Sequence, residues 1–297
     1  MSRRAVRLLP FLLAPTLLAT GAVSEELPPC CARLIGSAGS GLPAATAAGS
    51  DPDAEAPWDI EERHAPGREL AFTTSAGTWM SLDVHPDGQR LVFDLAGDLY
   101  ELPIAGGVAR RLTEGAAWDC EPRYAPDGRS IVFTSDRSGN DNLWWMDADG
   151  ARPRALTAET TVRVRDAAFT PDGEYVIARK RITDTSSIGT NELWMFHRLG
   201  GAGVALTKRA ELGGVMEPAV SPDGRYVYFS MRPGRFAYNS DPNAGIWQIG
   251  RLDRGTGQLR PLTGEFGGAI RPTPSPDGKT LAVLRRVRTK TVVELYD

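Results

Sequence analysis

The stretch Ala125-Pro126-Asp127-Gly128-Arg129-Ser130-Ile131-Val132-Phe133-Thr134 decides the fold. Proline presets φ at the second place of a tight turn, aspartate tolerates the third, and glycine takes the positive φ that sends the chain back. The β-branched and aromatic run Ile131-Val132-Phe133 then reads as a buried strand. The same phrase stands at His85-Pro86-Asp87-Gly88, Thr170-Pro171-Asp172-Gly173, Ser221-Pro222-Asp223-Gly224 and Ser275-Pro276-Asp277-Gly278, with the prolines 40, 45, 51 and 54 residues apart. Leu91-Val92-Phe93, Tyr175-Val176-Ile177, Tyr226-Val227-Tyr228-Phe229 and Leu281-Ala282-Val283-Leu284 follow the other four turns.

Two further landmarks keep step with the turns. An aliphatic residue before an aromatic ring marks a third strand at Leu99-Tyr100, Leu143-Trp144, Leu193-Trp194, Ile246-Trp247 and Leu295-Tyr296. Leucine before threonine closes four units, at Leu112-Thr113, Leu156-Thr157, Leu206-Thr207 and Leu262-Thr263. With the strand leading into each turn, this gives four antiparallel strands per repeat of about 40–50 residues, the period of a propeller blade. The expected fold is therefore all-β, a β-propeller with five visible repeats whose last blade is incomplete.

The threonines precede the next proline by 13 to 15 residues, and counting back 13 from Pro86 lands on Thr73. Leu70 to Thr74 is thus expected as an outermost strand that completes the fifth blade beside Val292 to Tyr296 and hides two sheet edges. The alternative is that this sequence is the front part of a larger propeller.

The pattern of turn, apolar strand, Thr134-Ser135-Asp136-Arg137-Ser138-Gly139, Asn142-Leu143-Trp144, Asp149-Gly150 and Leu156-Thr157 resembles the repeat of TolB-like propellers. That repeat also forms the front domain of tricorn-like and prolyl-oligopeptidase-like peptidases. Gly77-Thr78-Trp79-Met80-Ser81-Leu82-Asp83-Val84, with Phe93-Asp94-Leu95 and Leu102-Pro103-Ile104-Ala105-Gly106-Gly107, resembles the propeller that precedes a metal-dependent amidohydrolase barrel in some secreted bacterial proteins. The resemblance covers Glu69 to Asp297. It implies a binding, docking or substrate-gating domain whose catalytic barrel lies beyond this sequence. The other readings it allows are a self-sufficient periplasmic scaffold and a peptidase-linked propeller.

Residues 1–24 read as an export signal: Arg3, Arg4 and Arg7 precede an apolar run that Pro10 and Pro15 interrupt, too short and broken for a membrane span. Its removal takes away three arginines and no acid, moving the formal charge from −3 to −6. Residues 25–66, rich in Ala, Gly, Ser and Pro, read as a flexible linker, and 67–297 as the propeller. A periplasmic or secreted location follows. Cys30 and Cys31 lie in the linker and Cys120 stands alone in the repeats as a partly buried small residue, so no disulfide framework is expected.

Catalytic chemistry is not legible. His64, His85 and His197 are isolated, the last two read as surface residues, and no nucleophile elbow, phosphate loop or dinucleotide fingerprint is present. No catalytic residue, metal site or cofactor is expected. Basic and acidic residues alternate on a mildly acidic chain, and the cluster Arg285, Arg286, Arg288 and Lys290 reads as a solvated strand edge rather than a nucleic-acid footprint. Trp144, Trp145, Trp194 and Trp247 read as packing between blades.

Binding is expected at the centre or at the rim. Strands entering the turns line the axis, where Asp119, Asp166, Glu217 and Arg271 would project polar groups. Such a ring reads either as a site for a cation or a substrate amine, or as a hydrated channel. A long insert supplies the rim candidates Arg235, Phe236 and Tyr238. The expected partner is a C-terminal hydrolase domain in cis, or a periplasmic protein or peptide.

Overall fold

The computed structural model describes residues 3–4, 59–60, 62, 71–183, 190–208, 212–234 and 246–297. After the dipeptide strand β1 (Arg3–Arg4), the strands follow one another as antiparallel meanders. The first sheet comprises β2 (Leu82–Val84), β3 (Arg90–Leu95), β4 (Asp98–Pro103) and β5 (Arg110–Arg111). The second holds β6 (Asp119–Tyr124), β7 (Ser130–Ser135), β8 (Asn142–Asp147) and β9 (Arg154–Ala155). The third runs through β10 (Val164–Phe169), β11 (Tyr175–Ile182), β12 (Thr190–His197) and β13 (Val204–Ala205). The fourth has β14 (Leu212–Val220), β15 (Tyr226–Pro233), β16 (Gln248–Asp253) and β17 (Leu259–Pro261). The fifth has β18 (Ala269–Pro274), β19 (Leu281–Val287) and β20 (Lys290–Tyr296), with β1 at its outer edge. The protein is a five-bladed β-propeller.

Each Pro-Asp-Gly phrase joins the first and second strands of a blade. The Gly128 N–H donates to the Ala125 carbonyl at 2.8 Å, and the Asp127 carboxylate accepts from the Arg129 N–H at 2.9 Å. Successive turns stack in one direction. The space a Cβ on Gly173, Gly224 or Gly278 would take lies 3.5–3.7 Å from the proline of the preceding turn. At Gly128 the preceding contact is the His85 ring, whose Nε2 lies 3.0 Å from the Gly128 carbonyl oxygen and which meets Tyr124 edge-on. His85 is consequently buried between two blades and is not the surface residue that its turn position suggests.

The recurring Leu-Thr pair has a physical cause. The hydroxyls of Thr113, Thr157, Thr207 and Thr263 accept from the N–H groups of Leu99, Leu143, Leu193 and Ile249 at 2.9–3.0 Å. All four threonines are buried, so each bond pins the outermost segment to the third strand where water cannot compete. Two third-strand landmarks shift accordingly. In the fourth blade Ile249 holds the repeat position and Ile246-Trp247 precedes β16. In the fifth, Val293 faces Leu284 as Ile249 faces Ser230, two residues ahead of Leu295.

The cores lie between blades rather than within them. Val92 and Leu99 of the first blade pack with Tyr124, Ile131, Phe133 and Met146 of the second, and Val132, Leu143 and Leu156 pack with third-blade residues such as Val164 and Phe196. Each such aliphatic or aromatic side chain contributes about 2 kcal/mol by leaving water. Trp144, Trp145 and Trp194 pack against these cores.

The first and fifth blades do not meet: no strand of one comes within 8 Å, Cα to Cα, of a strand of the other. Leu82 and Val84 are therefore 57% and 46% exposed, whereas Ala167 and Tyr124, at the same distances before their prolines, are buried against the preceding blade. Of the strand expected from Leu70 to Thr74, Leu70 lies outside the described residues and the remainder is not formed. Ala71 to Thr74 lie in no strand and are exposed, because a segment entering the first blade cannot also reach the outer edge of a fifth blade that is not its neighbour. That edge is instead paired with β1, Arg3 opposite Tyr296 and Arg4 opposite Leu295. Among the described residues no helix is long and apolar enough to cross a membrane.

Candidate functional site: the axial cavity

The first strands of the blades surround a cavity of about 680 Å³. Four of its charged lining residues share one repeat position, five residues before a proline: Glu121, Asp166, Glu217 and Arg271. All four hold φ between 55° and 56° and sit in β-bulges, where the register with the second strand slips. A left-handed conformation costs a non-glycine residue about 1–2 kcal/mol, so something must over-determine it four times.

A ladder running around the axis does so. Asp94 accepts from the N–H of Glu121 at 2.8 Å, Glu121 from that of Asp166 at 3.1 Å, Asp166 from that of Glu217 at 3.3 Å, and Glu217 from that of Arg271 at 3.0 Å. At Glu121, Asp166 and Glu217 the bulge aims the carboxylate sideways at the next bulged amide, whereas Asp94 reaches out from the regular strand β3. Side chains eight residues after each proline support the rungs. Thr134 donates to Glu121 at 2.9 Å, Ser230 to Glu217 at 2.7 Å, and Arg179 Nε lies 2.8 Å from Asp166 Oδ2.

Burial and charge pull against each other here. Burial raises Asp166 to about 6, with the Glu121 charge adding to the rise and Arg179 opposing it. For Glu121 burial also acts upward, but Arg165, at 3.1 Å, and the Asp166 amide hold it below the ordinary carboxylate value. Asp83, which accepts from the Tyr124 N–H at 2.8 Å, is raised by burial against the pull of Arg123. Among the described residues no three His, Cys, Asp or Glu side chains are grouped as metal ligands.

Asp166, Glu217 and Arg271 thus stand together at the axis, while Asp119 does not line the cavity. It is 1% exposed and ion-paired with Arg137, which also lies over the Phe133 and Trp144 rings. Glu121 holds the place that the sequence reading gave to Asp119, and counting back from the proline finds it directly: five residues in every repeat. Arg235, Phe236 and Tyr238 lie outside the described residues.

The geometry has a family counterpart: the TolB beta propeller domain matches residues 66–235, more than half of the chain. This chain belongs to that family. The TolB-like propeller is 32% identical over 103 residues to the uncharacterized protein Atu1656 of Agrobacterium fabrum. It is 28% identical over 162 residues to the uncharacterized peptidase YuxL of Bacillus subtilis, and 45% identical over 53 residues to the Tol-Pal system protein TolB of Bordetella pertussis. These matches take in 31%, 44% and 18% of this chain, and 32%, 24% and 12% of the relatives, so it spans a third or less of each. The fold is similar to that of a TolB from Agrobacterium tumefaciens, with a TM-score of 0.61 at 21% identity over 73% of this chain and 76% of that one. TolB from Acinetobacter baumannii gives 0.56 at 18% identity, over 73% and 49%.

Proposed function

We propose that this TolB-like propeller is an exported binding domain that docks a protein or peptide partner through its axial cavity. The observation that carries the reading is the cavity itself, to which all five blades contribute. Relatives named as a Tol-Pal system protein and as a peptidase support a docking role, either in a stand-alone scaffold or beside a hydrolase in the same polypeptide. The tie to an amidohydrolase barrel rests on the sequence resemblance of Gly77 to Val84, Phe93 to Leu95 and Leu102 to Gly107, with no support from those relatives. Periplasmic location accords with the TolB relatives and with the basic, apolar opening of the sequence.

The experiment places a photo-crosslinking amino acid at Thr273, inside the cavity, and at Val108, outside it, in the full chain expressed with its own leader. Cross-linked peptides mapped by mass spectrometry should come from one partner at Thr273 and not at Val108. Equal labelling at both positions would overturn the docking role, and recovery from the cytoplasmic fraction would overturn export.

A further inference from the structure

The cavity lining contains four acids, Asp83, Glu121, Asp166 and Glu217, and three bases, Arg123, Arg179 and Arg271. Counted formally, that favours a cation. Counted by free hydrogen-bonding capacity, the sign reverses. Glu121 is used by the Asp166 amide, Thr134 and Arg165; Glu217 by the Arg271 amide, Ser230 and Arg271 Nε. Asp166 is used by the Glu217 amide and is ion-paired with Arg179, and Asp83 is used by the Tyr124 amide. The side chains of Glu121, Asp166 and Glu217 are only 16–20% exposed.

The arginines are differently placed. Arg271 is 58% exposed, and only its Nε is engaged, with Glu217 at 2.9 Å. Arg123 uses one Nη on the Pro122 and Leu82 carbonyls, at 2.7 and 3.4 Å. The terminal Nη groups of Arg271 and Arg179 and the second Nη of Arg123 have no hydrogen-bond partner among the described residues. Guanidinium forks with unused donors in a partly enclosed site match a planar anion, and a carboxylate takes two such donors at once. Met80, Leu82, Phe169 and Met216 supply an apolar wall around them.

We propose that the axial cavity recognises a carboxylate on an extended peptide, held by Arg123, Arg179 and Arg271, rather than an amine or a cation. The inference rests on the docking role above and names the chemistry of what docks. Either the free C-terminus of a chain or a glutamate or aspartate side chain supplies that group, and the two sources are separable by experiment.

The probe is a randomised mixture of N-acetylated hexapeptides, presented to the purified full chain as free acids, as C-terminal amides, and as amides with a free α-amine in place of the acetyl group. Retained peptides are read by mass spectrometry after rapid gel filtration. Free acids should be retained about tenfold better than matched amides, a difference of one decade in Kd. Among the amides, any retained set should be enriched in Glu and Asp if a side chain is the source. Arg271→Gln should abolish the preference and Arg271→Lys should restore part of it, with melting temperature showing that both remain folded. Arg123→Gln, at a guanidinium outside the ladder, should act in the same direction. Retention led by the free-amine series, no carboxylate preference in any series, or no retention at all would overturn the inference. If the Thr273 cross-link still finds a partner in those cases, only the carboxylate assignment falls and the docking role stands.

Discussion

Glu121 Oε2 accepts a hydrogen bond from the backbone N–H of Asp166, 3.1 Å away and 45 residues further along the chain. That single bond satisfies a bulged amide, joins two blades and occupies a carboxylate at the axis. Replacing Glu121 with alanine leaves the Asp166 amide without its acceptor in a partly buried site and takes from Arg165 its nearest carboxylate, at a cost of about 3 kcal/mol. The denaturation midpoint in urea should fall accordingly, whereas Glu121→Gln, which keeps an acceptor oxygen, should lose less. Equal losses in the two variants would show that the rung contributes through packing alone.

Stability should decline as pH rises from 5 to 8. Burial pushes the Asp98 carboxyl to about 7, with Asp119 adding to the rise and Arg111, 2.6 Å away, offsetting it; Asp166 is pushed to about 6. Both lie above the unfolded value of 3.8, so in that range the folded chain binds more protons than the unfolded chain. Their contribution is complete below the unfolded value and is lost as pH climbs through the folded values. Glu121, held low, has the opposite sign and loses its contribution only on acidification. Urea midpoints at four pH values should show the decline, and Asp98→Asn should flatten it.

Trp79 is 95% exposed with φ at 60°, a conformation that favours glycine. Exchanging it for glycine removes almost no packing and relieves about 1–2 kcal/mol of backbone strain, against about 1 kcal/mol of added chain entropy in the unfolded state. Trp79→Gly should therefore melt at or slightly above the parent temperature. A clear fall would show that this ring, although exposed, supports the entry to the cavity wall at Met80.

Gly88 and Gly128 occupy the same place in successive turns, at φ of 70° and 69°. A Cβ on Gly88 would meet nothing within 4 Å, but one on Gly128 would overlap the His85 ring at Nε2. Alanine at either pays the left-handed penalty of about 1–2 kcal/mol, and alanine at Gly128 must also displace a buried ring. The second variant should lose more stability in thermal unfolding, and adding His85→Ala should recover part of the difference.

The fold was legible because its determinants are local. Pro-Asp-Gly dictates a turn from three adjacent residues, and the buried threonine of each Leu-Thr pair repeats because one hydroxyl must reach one third-strand amide. The site was legible only in part, because its geometry depends on bulges. Asp166, Glu217 and Arg271 each stand five residues before their proline, on the bulge, whereas Asp119 stands seven before Pro126, ahead of the bulge, and its carboxylate lies buried against Arg137. Distance from the proline is unaffected, since the bulge recurs at the same offset. The sign of the cavity was hidden for another reason: charge is written in the sequence, whereas the partners that use it up come from other blades.

The ladder also has a direction in time. In every rung the accepting carboxylate belongs to the earlier blade and the donating amide to the later one, from Asp94 through Glu217 to Arg271. During synthesis, each strained bulge from Glu121 onward leaves the ribosome when the group that will hold it has already been made. The blades can harden in the order of translation, none waiting on a residue still to come. Damage is correspondingly one-sided: a fault in an early blade robs its successor of an acceptor, while a fault in the last leaves its predecessors' rungs intact.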